Sequence, residues 1–140
     1  MDLTSCRNIL IYGGSFDPPH RGHVKLPALA TEAVGADAVA YVPTAQSPLK
    51  ARLSGTSTRH RLAMLKLALQ SAPRAQVLTD EIDRGDDGPN YTIDTLMRLR
   101  VRLGPDTALR LLIGGDQLRQ FDRWRDWRRV IDFDVRAEQI

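Results

Sequence analysis

The chain has a single cysteine, Cys6, and no apolar run long enough to cross a bilayer. One cysteine excludes an internal disulfide, and a membrane helix needs about 20 predominantly apolar residues. The first residues also lack the basic-then-apolar pattern of a secretory signal. We therefore expect a cytoplasmic protein in a reducing compartment, with Cys6 acting as a small buried hydrophobe.

Charge of one sign is not in large excess either. The 20 basic residues, almost all arginine, outnumber the 17 acidic ones by only three. Such a balance suits phosphate-bearing small molecules at least as well as nucleic acid. A chain of 140 residues has the size of one domain, and such a chain buries about two thirds of its unfolded surface. We expect a single domain over residues 1–140.

The most informative stretch, GGSFDPPHRGH, begins at Gly13 and ends at His23. It follows the apolar run 8–12, which is typical of a buried parallel strand, and it leads into a segment of helical character. A strand, a glycine turn and a helix start together bind phosphate, because unpaired backbone N–H groups and the helix dipole face one point. Taken alone, the glycine and proline part of this stretch could be a stiff turn, and the two histidines could be a solvated pair on a helix face. Their combination after a strand indicates a functional site.

These eleven residues resemble the GG(S/T)FDPxHxGH signature of bacterial nicotinate-mononucleotide adenylyltransferases, in the nucleotidyltransferase superfamily that shares HxGH with class I aminoacyl-tRNA synthetases. His20 stands where phosphopantetheine adenylyltransferases usually carry threonine. Cytidylyltransferases for glycerol phosphate or choline phosphate resemble the stretch less well around Pro18 and Pro19. The resemblance implies adenylyl transfer from ATP to nicotinate mononucleotide, giving nicotinate adenine dinucleotide and pyrophosphate in NAD biosynthesis.

The rest of the pattern predicts an α/β fold. Further strands are expected at 38–42, 76–79 and 108–113, and a strand followed by a helix and a strand predicts right-handed parallel crossovers. The resemblance implies a Rossmann-like open parallel sheet with helices on both faces, the adenine nucleotide alpha hydrolase-like nucleotidyltransferase fold, shortened at its C-terminal end.

The helices carry recognisable end signals. The first is predicted over 21–34, stopping at Gly35, with an apolar stripe of Leu26, Leu29, Ala30 and Ala33. Pro27 should kink this helix or mark its regular start. Thr56 or Ser57 can cap a second helix, whose apolar face contains Arg61, and Thr92 can cap a third over 93–103.

The resemblance also implies roles for individual residues. His20 and His23 would be the catalytic residues, stabilising charge on the α-phosphate of ATP. Asp116 follows a strand and should lie on the same rim as His20, because ligands bind beyond the carboxyl ends of parallel strands. The residues expected to bind ATP are Gly13, Gly14, Ser15, Phe16, His20, His23, Gly114 and Asp116. Those expected to bind the acceptor nucleotide are Ser15, Lys50, Tyr91, Thr92 and Trp124. Mg²⁺ is expected as cofactor, held mainly by the ATP phosphates and water.

Several of these residues have ordinary alternatives. Lys50 could be a solvated lysine, and Thr92 could serve as a helix cap, as a pocket residue or as both. The carboxylates in the turn-rich segment 84–92 match no calcium loop, so we expect them to be solvated. The arginine and tryptophan cluster 123–129 could stack on bases. Its short length and interspersed carboxylates favour a substrate pocket around Trp124 and core packing for Trp127.

The C-terminal end departs from the family pattern. The resemblance covers about residues 8–131, and the segment 130–140 shows neither a fifth apolar strand nor the late serine-threonine-arginine element that grips the triphosphate. We expect an exposed sheet edge. The chain would be a fragment of a longer gene product or an impaired protein, and a frameshift near Ile131 is one hypothesis. Alternatives to the adenylyltransferase are a nucleotide-binding remnant without turnover and a nucleotidyltransferase for another phosphorylated acceptor.

Overall fold

The computed structural model describes residues 2–44, 57–84, 90–133 and 135–138. Its centre is one parallel sheet, which confirms the predicted fold class. The strands are β1 (Asn8–Gly14), β2 (Ala38–Pro43), β3 (Ala75–Val77), β4 (Ala108–Gly114) and β5 (Val135–Glu138). They lie in the order β3-β2-β1-β4-β5, and every neighbouring pair is parallel.

Helices cover both faces of this sheet. They are α1 (Arg21–Val34), α2 (Thr58–Ala68), α3 (Asp80–Asp83), α4 (Thr92–Leu103), α5 (Gly115–Arg119) and α6 (Trp127–Ile131), with 3₁₀ turns at Leu3–Ser5 and Phe121–Arg123. Alternate side chains of β1 enter two separate cores: Ile11 packs with α4, and Leu10 packs with α1 and α2. Burial on both faces explains why the centre of β1, residues 9–12, is a continuous run of hydrophobic side chains. None of the described helices has the length and apolar character needed to traverse a bilayer.

The strand order places a functional site at one end of the sheet. β1 lies between β2 and β4, and the chain fills the sheet outward in opposite directions from it. At such a switch point the connections diverge and leave a crevice beyond the carboxyl ends of the strands. Gly14 ends β1 and Gly114 ends β4 at this crevice.

The expected absence of a fifth strand is wrong. Val135–Glu138 pairs in parallel with Leu111–Gly114 as β5. An edge strand gains hydrogen bonds along one side only and needs no long apolar run, so this short polar segment carried no recognisable strand signal. Consequently, β4 lies inside the described sheet, between β1 and β5.

Helix α1 has the predicted bounds but a different buried face. It begins at Arg21, and Gly35 ends it with φ +68°, a left-handed conformation that glycine adopts without strain. The predicted stripe is partly wrong, since Leu29 is 59% exposed and Ala33 is also exposed. The buried residues are Pro27, Ala30 and Thr31. Thr31 tolerates burial because its hydroxyl donates to the Pro27 carbonyl at 2.7 Å.

The two predicted helix caps have different outcomes. Ser57 caps α2, its Oγ accepting from the His60 N–H at 3.2 Å, whereas Thr56 lies outside the described residues. Thr92 is not a cap, so that prediction is wrong. It is the first residue of α4, because the Tyr91 carbonyl already accepts hydrogen bonds from Asp94 and Thr95. Tyr91 therefore occupies the cap position.

Candidate active site

A cavity of about 880 Å³ opens beyond the carboxyl ends of β1 and β4. The structure brings most of the predicted site residues to its wall, from both halves of the sequence. These are Gly13, Gly14, Ser15, Phe16, His20, His23, Tyr91, Thr92, Asp116 and Trp124. Gly114 is not among the lining residues, and its N–H donates to Gln117 Oε1 at 3.2 Å. Lys50 lies outside the described residues.

The two histidines are tied to each other at the start of α1. The backbone N–H of His20 donates to Nδ1 of His23 at 3.0 Å, and the N–H of Gly22 donates to Nδ1 of His20 at 3.1 Å. The rings stack with centroids 3.7 Å apart. A neutral imidazole that accepts at Nδ1 carries its proton at Nε2. Both rings therefore have an Nε2–H group left to donate.

The surroundings keep His23 neutral. Burial, followed by the proximity of His20, lowers the pKa of His23 from 6.5 to about 4. The Phe16 ring contributes to this burial, with its centroid 5.1 Å from that of His23 and the rings nearly perpendicular. At neutral pH the site thus offers an uncharged hydrogen-bond donor whose tautomer is fixed by the backbone.

A buried arginine connects the loops that follow β1 and β2. Arg61 is only 2% exposed, and its NH1 group donates to the carbonyls of Ser15 at 2.8 Å and Thr44 at 2.7 Å. Its NH2 group donates to the Thr58 hydroxyl at 3.2 Å. Sequence reasoning gave Arg61 no role in the site. The available signal was a charged residue on the predicted apolar face of a helix.

Glu81 lines the cavity and is a second residue whose place near the site the sequence did not reveal. It is 6% exposed and accepts a hydrogen bond from the Thr95 hydroxyl at 2.9 Å. Burial raises the pKa of Glu81 to about 7, against the opposing effects of the Thr95 hydrogen bond and of Arg98 and Arg84. Glu81 is one of several neighbouring carboxylates in the sequence, and no local pattern distinguishes it from the others.

Aromatic and cationic side chains form another part of the cavity wall. The guanidinium of Arg125 lies 4.6 Å from the centre of the Tyr91 ring, a cation–π distance. Trp124 packs on Phe121 with ring centroids 5.1 Å apart and also lines the cavity. Trp127 packs against the core without lining the cavity, in agreement with its expected packing role.

Asp116 lies on the rim, as its place after a strand predicted. It belongs to the first turn of α5 and lines the cavity together with His20. Its carboxylate is exposed and lies 3.8 Å from the guanidinium of Arg119. Such an exposed pair is held only weakly, so the Asp116 carboxylate is accessible to a ligand at the cavity mouth.

A parallel sheet with paired histidines on a glycine loop at its switch point defines an open α/β protein with a ligand crevice of the kind that binds nucleotides. The chain belongs to the cytidylyltransferase-like family, whose model matches residues 11–138. It is 40% identical over 121 residues to a Marinobacter nauticus protein named "Probable nicotinate-nucleotide adenylyltransferase", and 41% identical over 118 residues to one of the same name from Laribacter hongkongensis. The resemblance read from the motif is thus confirmed.

These relatives are considerably longer than this chain. The two matches cover 86% and 84% of this chain but only 55% and 52% of the relatives. The chain therefore spans about half the length of the curated relatives it matches. Among solved structures, a Plasmodium falciparum nicotinic acid mononucleotide adenylyltransferase in complex with NaAD superposes with a TM-score of 0.74 at 17% identity, over 96% of this chain and 75% of that one. This agreement supports the fold.

Proposed function

We propose that the chain carries the adenylyl-transfer site of a nicotinate-nucleotide adenylyltransferase, which joins ATP and nicotinate mononucleotide. The observation that carries this proposal is the pair of histidines in the wall of a cavity of about 880 Å³, each accepting a backbone hydrogen bond at Nδ1, which leaves its Nε2 to donate. Small-molecule sites commonly have volumes of about 300–1,000 Å³. The names of the relatives supply the substrates.

The proposed reaction is an in-line displacement at the α-phosphorus of ATP. An anionic 5′-phosphate oxygen of nicotinate mononucleotide forms the new P–O bond. The bond from the α-phosphorus to the bridging oxygen breaks, and pyrophosphate leaves with the electron pair. His20 and His23 donate from Nε2 to the α-phosphate oxygens, where negative charge builds up. Backbone N–H groups near Gly14 and Ser15 hold the phosphates in line.

The acceptor nucleotide would occupy the side of the cavity formed by the start of α4. Helix α4 has 12 residues, so its first N–H groups and its dipole favour an anion such as the nicotinate carboxylate. In this proposal Tyr91 and Thr92 contact the nicotinate group, and Trp124 stacks on its ring. Lys50 remains a predicted phosphate ligand outside the described residues.

The remaining ATP contacts would come from the rim after β4. We assign Asp116 to the adenosine ribose, and Gly114 stays a predicted ATP contact. Asp17 and Asp116 both line the cavity, and carboxylate oxygens are ligands that Mg²⁺ accepts. Since the described residues contain no group of three or more side chains that could ligate a metal, Mg²⁺ would be carried mainly by the phosphates and water, with at most these carboxylates added. When bound, the cation would neutralise charge on the phosphate oxygens.

A second candidate is a nucleotide-binding protein without turnover, which would use the same cavity and the same backbone donors. A third candidate, transfer to another phosphorylated acceptor, uses the same donors.

Pyrophosphate release separates these candidates. The chain is incubated with ATP and Mg²⁺ plus nicotinate mononucleotide, nicotinamide mononucleotide or a phosphorylated alcohol, and ATP binding is measured by calorimetry. Release with nicotinate mononucleotide supports the proposal. ATP binding without release supports the second candidate, and release only with another acceptor supports the third. Absence of both binding and release contradicts all three.

A further inference from the structure

The proline inside α1 leaves a backbone acceptor next to the candidate active site. Pro27 lies within the helix Arg21–Val34 and has no N–H to donate to the carbonyl four residues earlier. That carbonyl belongs to His23. The residue proposed to act on the α-phosphate is thus also the residue whose backbone lacks its regular helical hydrogen bond.

A side chain from the sheet supplies the missing donor. The hydroxyl of Tyr41 donates to the His23 carbonyl at 2.6 Å. Tyr41 belongs to β2 and is 2% exposed. Leaving a carbonyl without a hydrogen-bond donor inside a protein costs free energy of folding. The Tyr41 hydroxyl therefore supplies the hydrogen bond that Pro27, which has no N–H, cannot donate. The hydrogen bond attaches the first turn of α1 to the sheet at the histidine itself.

The rings around Tyr41 hold its hydroxyl in place. Its ring centroid lies 5.7 Å from that of Tyr12 and 5.8 Å from that of Phe16. Phe16 contacts His23 in turn. Burial, together with the neighbouring Tyr12, raises the pKa of Tyr41, so the hydroxyl remains a donor throughout the physiological range. The tyrosine is therefore a rigid support rather than an exposed, mobile side chain.

We propose that Tyr41 is a positioning residue for His23, replacing through its hydroxyl the helical hydrogen bond that Pro27 cannot make. Its catalytic consequence rests on the proposed function, because His23 matters for turnover only if it stabilises the α-phosphate. Tyr41 itself touches no reacting atom. It fixes the turn whose backbone sets the position and tautomer of the imidazole.

A double-mutant cycle tests this proposal. Tyr41→Phe removes the hydroxyl and keeps the ring, whereas Pro27→Ala restores an N–H that can donate to the His23 carbonyl. Tyr41→Phe should lower kcat by about tenfold, since displacement of a reacting group by about 1 Å can cost a hundredfold. The KM for ATP should change less than the kcat. In the Pro27→Ala background the same substitution should lower kcat by no more than about twofold. Tyr12→Phe is the matched control, because it removes a neighbouring hydroxyl that does not bond this carbonyl.

An equal loss of kcat in both backgrounds overturns the proposal, because Tyr41 would then act elsewhere. An unchanged kcat for Tyr41→Phe in an otherwise active protein also overturns it. Melting temperatures of the four proteins show whether each variant is folded at the assay temperature. If Tyr41→Phe is destabilised, a rise in melting temperature on Pro27→Ala that is larger in the Tyr41→Phe background than in the unsubstituted protein supports the proposal, and an equal rise in both backgrounds overturns it, because removal of a helical proline stabilises a helix by itself.

Nitrogen NMR of the histidine rings separates this proposal from the proposed function, because it needs no substrate. In the unsubstituted protein, His23 should show the Nε2–H tautomer and a pKa near 4. The pKa of His23 is lowered by burial and by His20, so in Tyr41→Phe it should rise toward the ordinary value of about 6.5 only because the released turn exposes the ring, and Pro27→Ala should reverse the shift. Unchanged His23 signals in Tyr41→Phe refute the positioning role. If His23 responds as expected but no acceptor supports turnover, the proposed function fails and the positioning of His23 is still supported.

Discussion

Arg61 and Ser15 are 46 residues apart in the sequence, yet the guanidinium of the first donates to the backbone carbonyl of the second at 2.8 Å. The same NH1 group also reaches the carbonyl of Thr44. One buried cation therefore holds together the ends of two neighbouring strands at the cavity. The conformation of the glycine loop depends on helix α2 as well as on its own sequence.

Replacing Arg61 by methionine should destabilise the protein and loosen the loop. Two carbonyls would lose a charged donor while the buried volume stays similar, so we expect the free energy of unfolding to fall by about 2–4 kcal/mol. The KM for ATP should rise in the fraction that remains folded. Denaturant unfolding and ATP titration measure the two effects. Arg59→Met, at an exposed position of the same helix, should change the free energy of unfolding by less than about 0.5 kcal/mol. Equal effects of the two substitutions would contradict the role given to Arg61.

His23→Ala should remove most of the turnover without unfolding the protein. Loss of one preorganised donor to a developing negative charge costs about 10²–10³-fold in kcat. Pyrophosphate release measures this loss, and circular dichroism checks the fold. His60→Ala is the control, because its side chain is exposed on α2. A His23→Ala protein as active as the control would refute the proposed catalytic role.

The stability of the protein should depend on pH through Glu81. The pKa of Glu81 is about 7 in the folded protein, against an ordinary value of 4.5 that applies to the unfolded chain. Between these two pH values, the folded state therefore binds more protons than the unfolded state. The contribution of Glu81 to stability is therefore present below pH 4.5 and is lost as the pH rises through 7. Glu81→Gln preserves the acceptor for Thr95 and does not titrate. The difference in free energy of unfolding, variant minus unsubstituted protein, should thus increase with pH over this window by up to about 3 kcal/mol.

Denaturant titrations of both proteins at several pH values measure this difference. His23 acts in the opposite direction, because its pKa is lowered from 6.5 to about 4 and its contribution to stability is lost as the pH falls through that range. Both proteins contain His23, so its effect cancels in the difference. A difference independent of pH would show that Glu81 is ionised throughout the window.

The two tryptophans should respond differently to substitution. Trp124 lines the cavity and packs on the core, whereas Trp127 only packs on the core. Trp124→Leu should raise the KM for nicotinate mononucleotide by about tenfold, because one stacking contact with an aromatic ring is worth about 1–3 kcal/mol. Trp127→Leu should lower the melting temperature and leave that KM within about twofold. Steady-state kinetics and thermal unfolding measure the two effects. A KM increase of similar size in both variants would show that Trp124 acts through the fold alone.

The features that were predictable from the sequence are those with local signals. β1 and β2 are continuous apolar runs, and Gly35 is a strong stop after α1, so these elements were located within one or two residues. The composition of the stretch from Gly13 to His23 was specific enough to indicate the site. The rule that parallel strands open a crevice at their carboxyl ends then placed Asp116 on the same rim.

The missed features depend on distant partners. Arg61 can be buried because two carbonyls from other segments accept hydrogen bonds from its guanidinium. Glu81 differs from its acidic neighbours because Thr95, on another helix, donates to it. β5 forms because β4 offers an unpaired edge. In each case the local sequence is ordinary, and only the three-dimensional arrangement supplies the reason.

The locking of both imidazoles through Nδ1 has a consequence for the direction of the reaction. In each ring, Nδ1 accepts a hydrogen bond from a backbone N–H and Nε2 bears the proton. No lone pair of the ring is therefore available to act as a base. Under the proposed chemistry, neither imidazole would gain or lose a proton during a turnover. The same two donors would therefore serve synthesis and pyrophosphorolysis alike, and the equilibrium constant together with the concentrations of ATP, nicotinate mononucleotide, pyrophosphate and dinucleotide would decide which way the reaction runs.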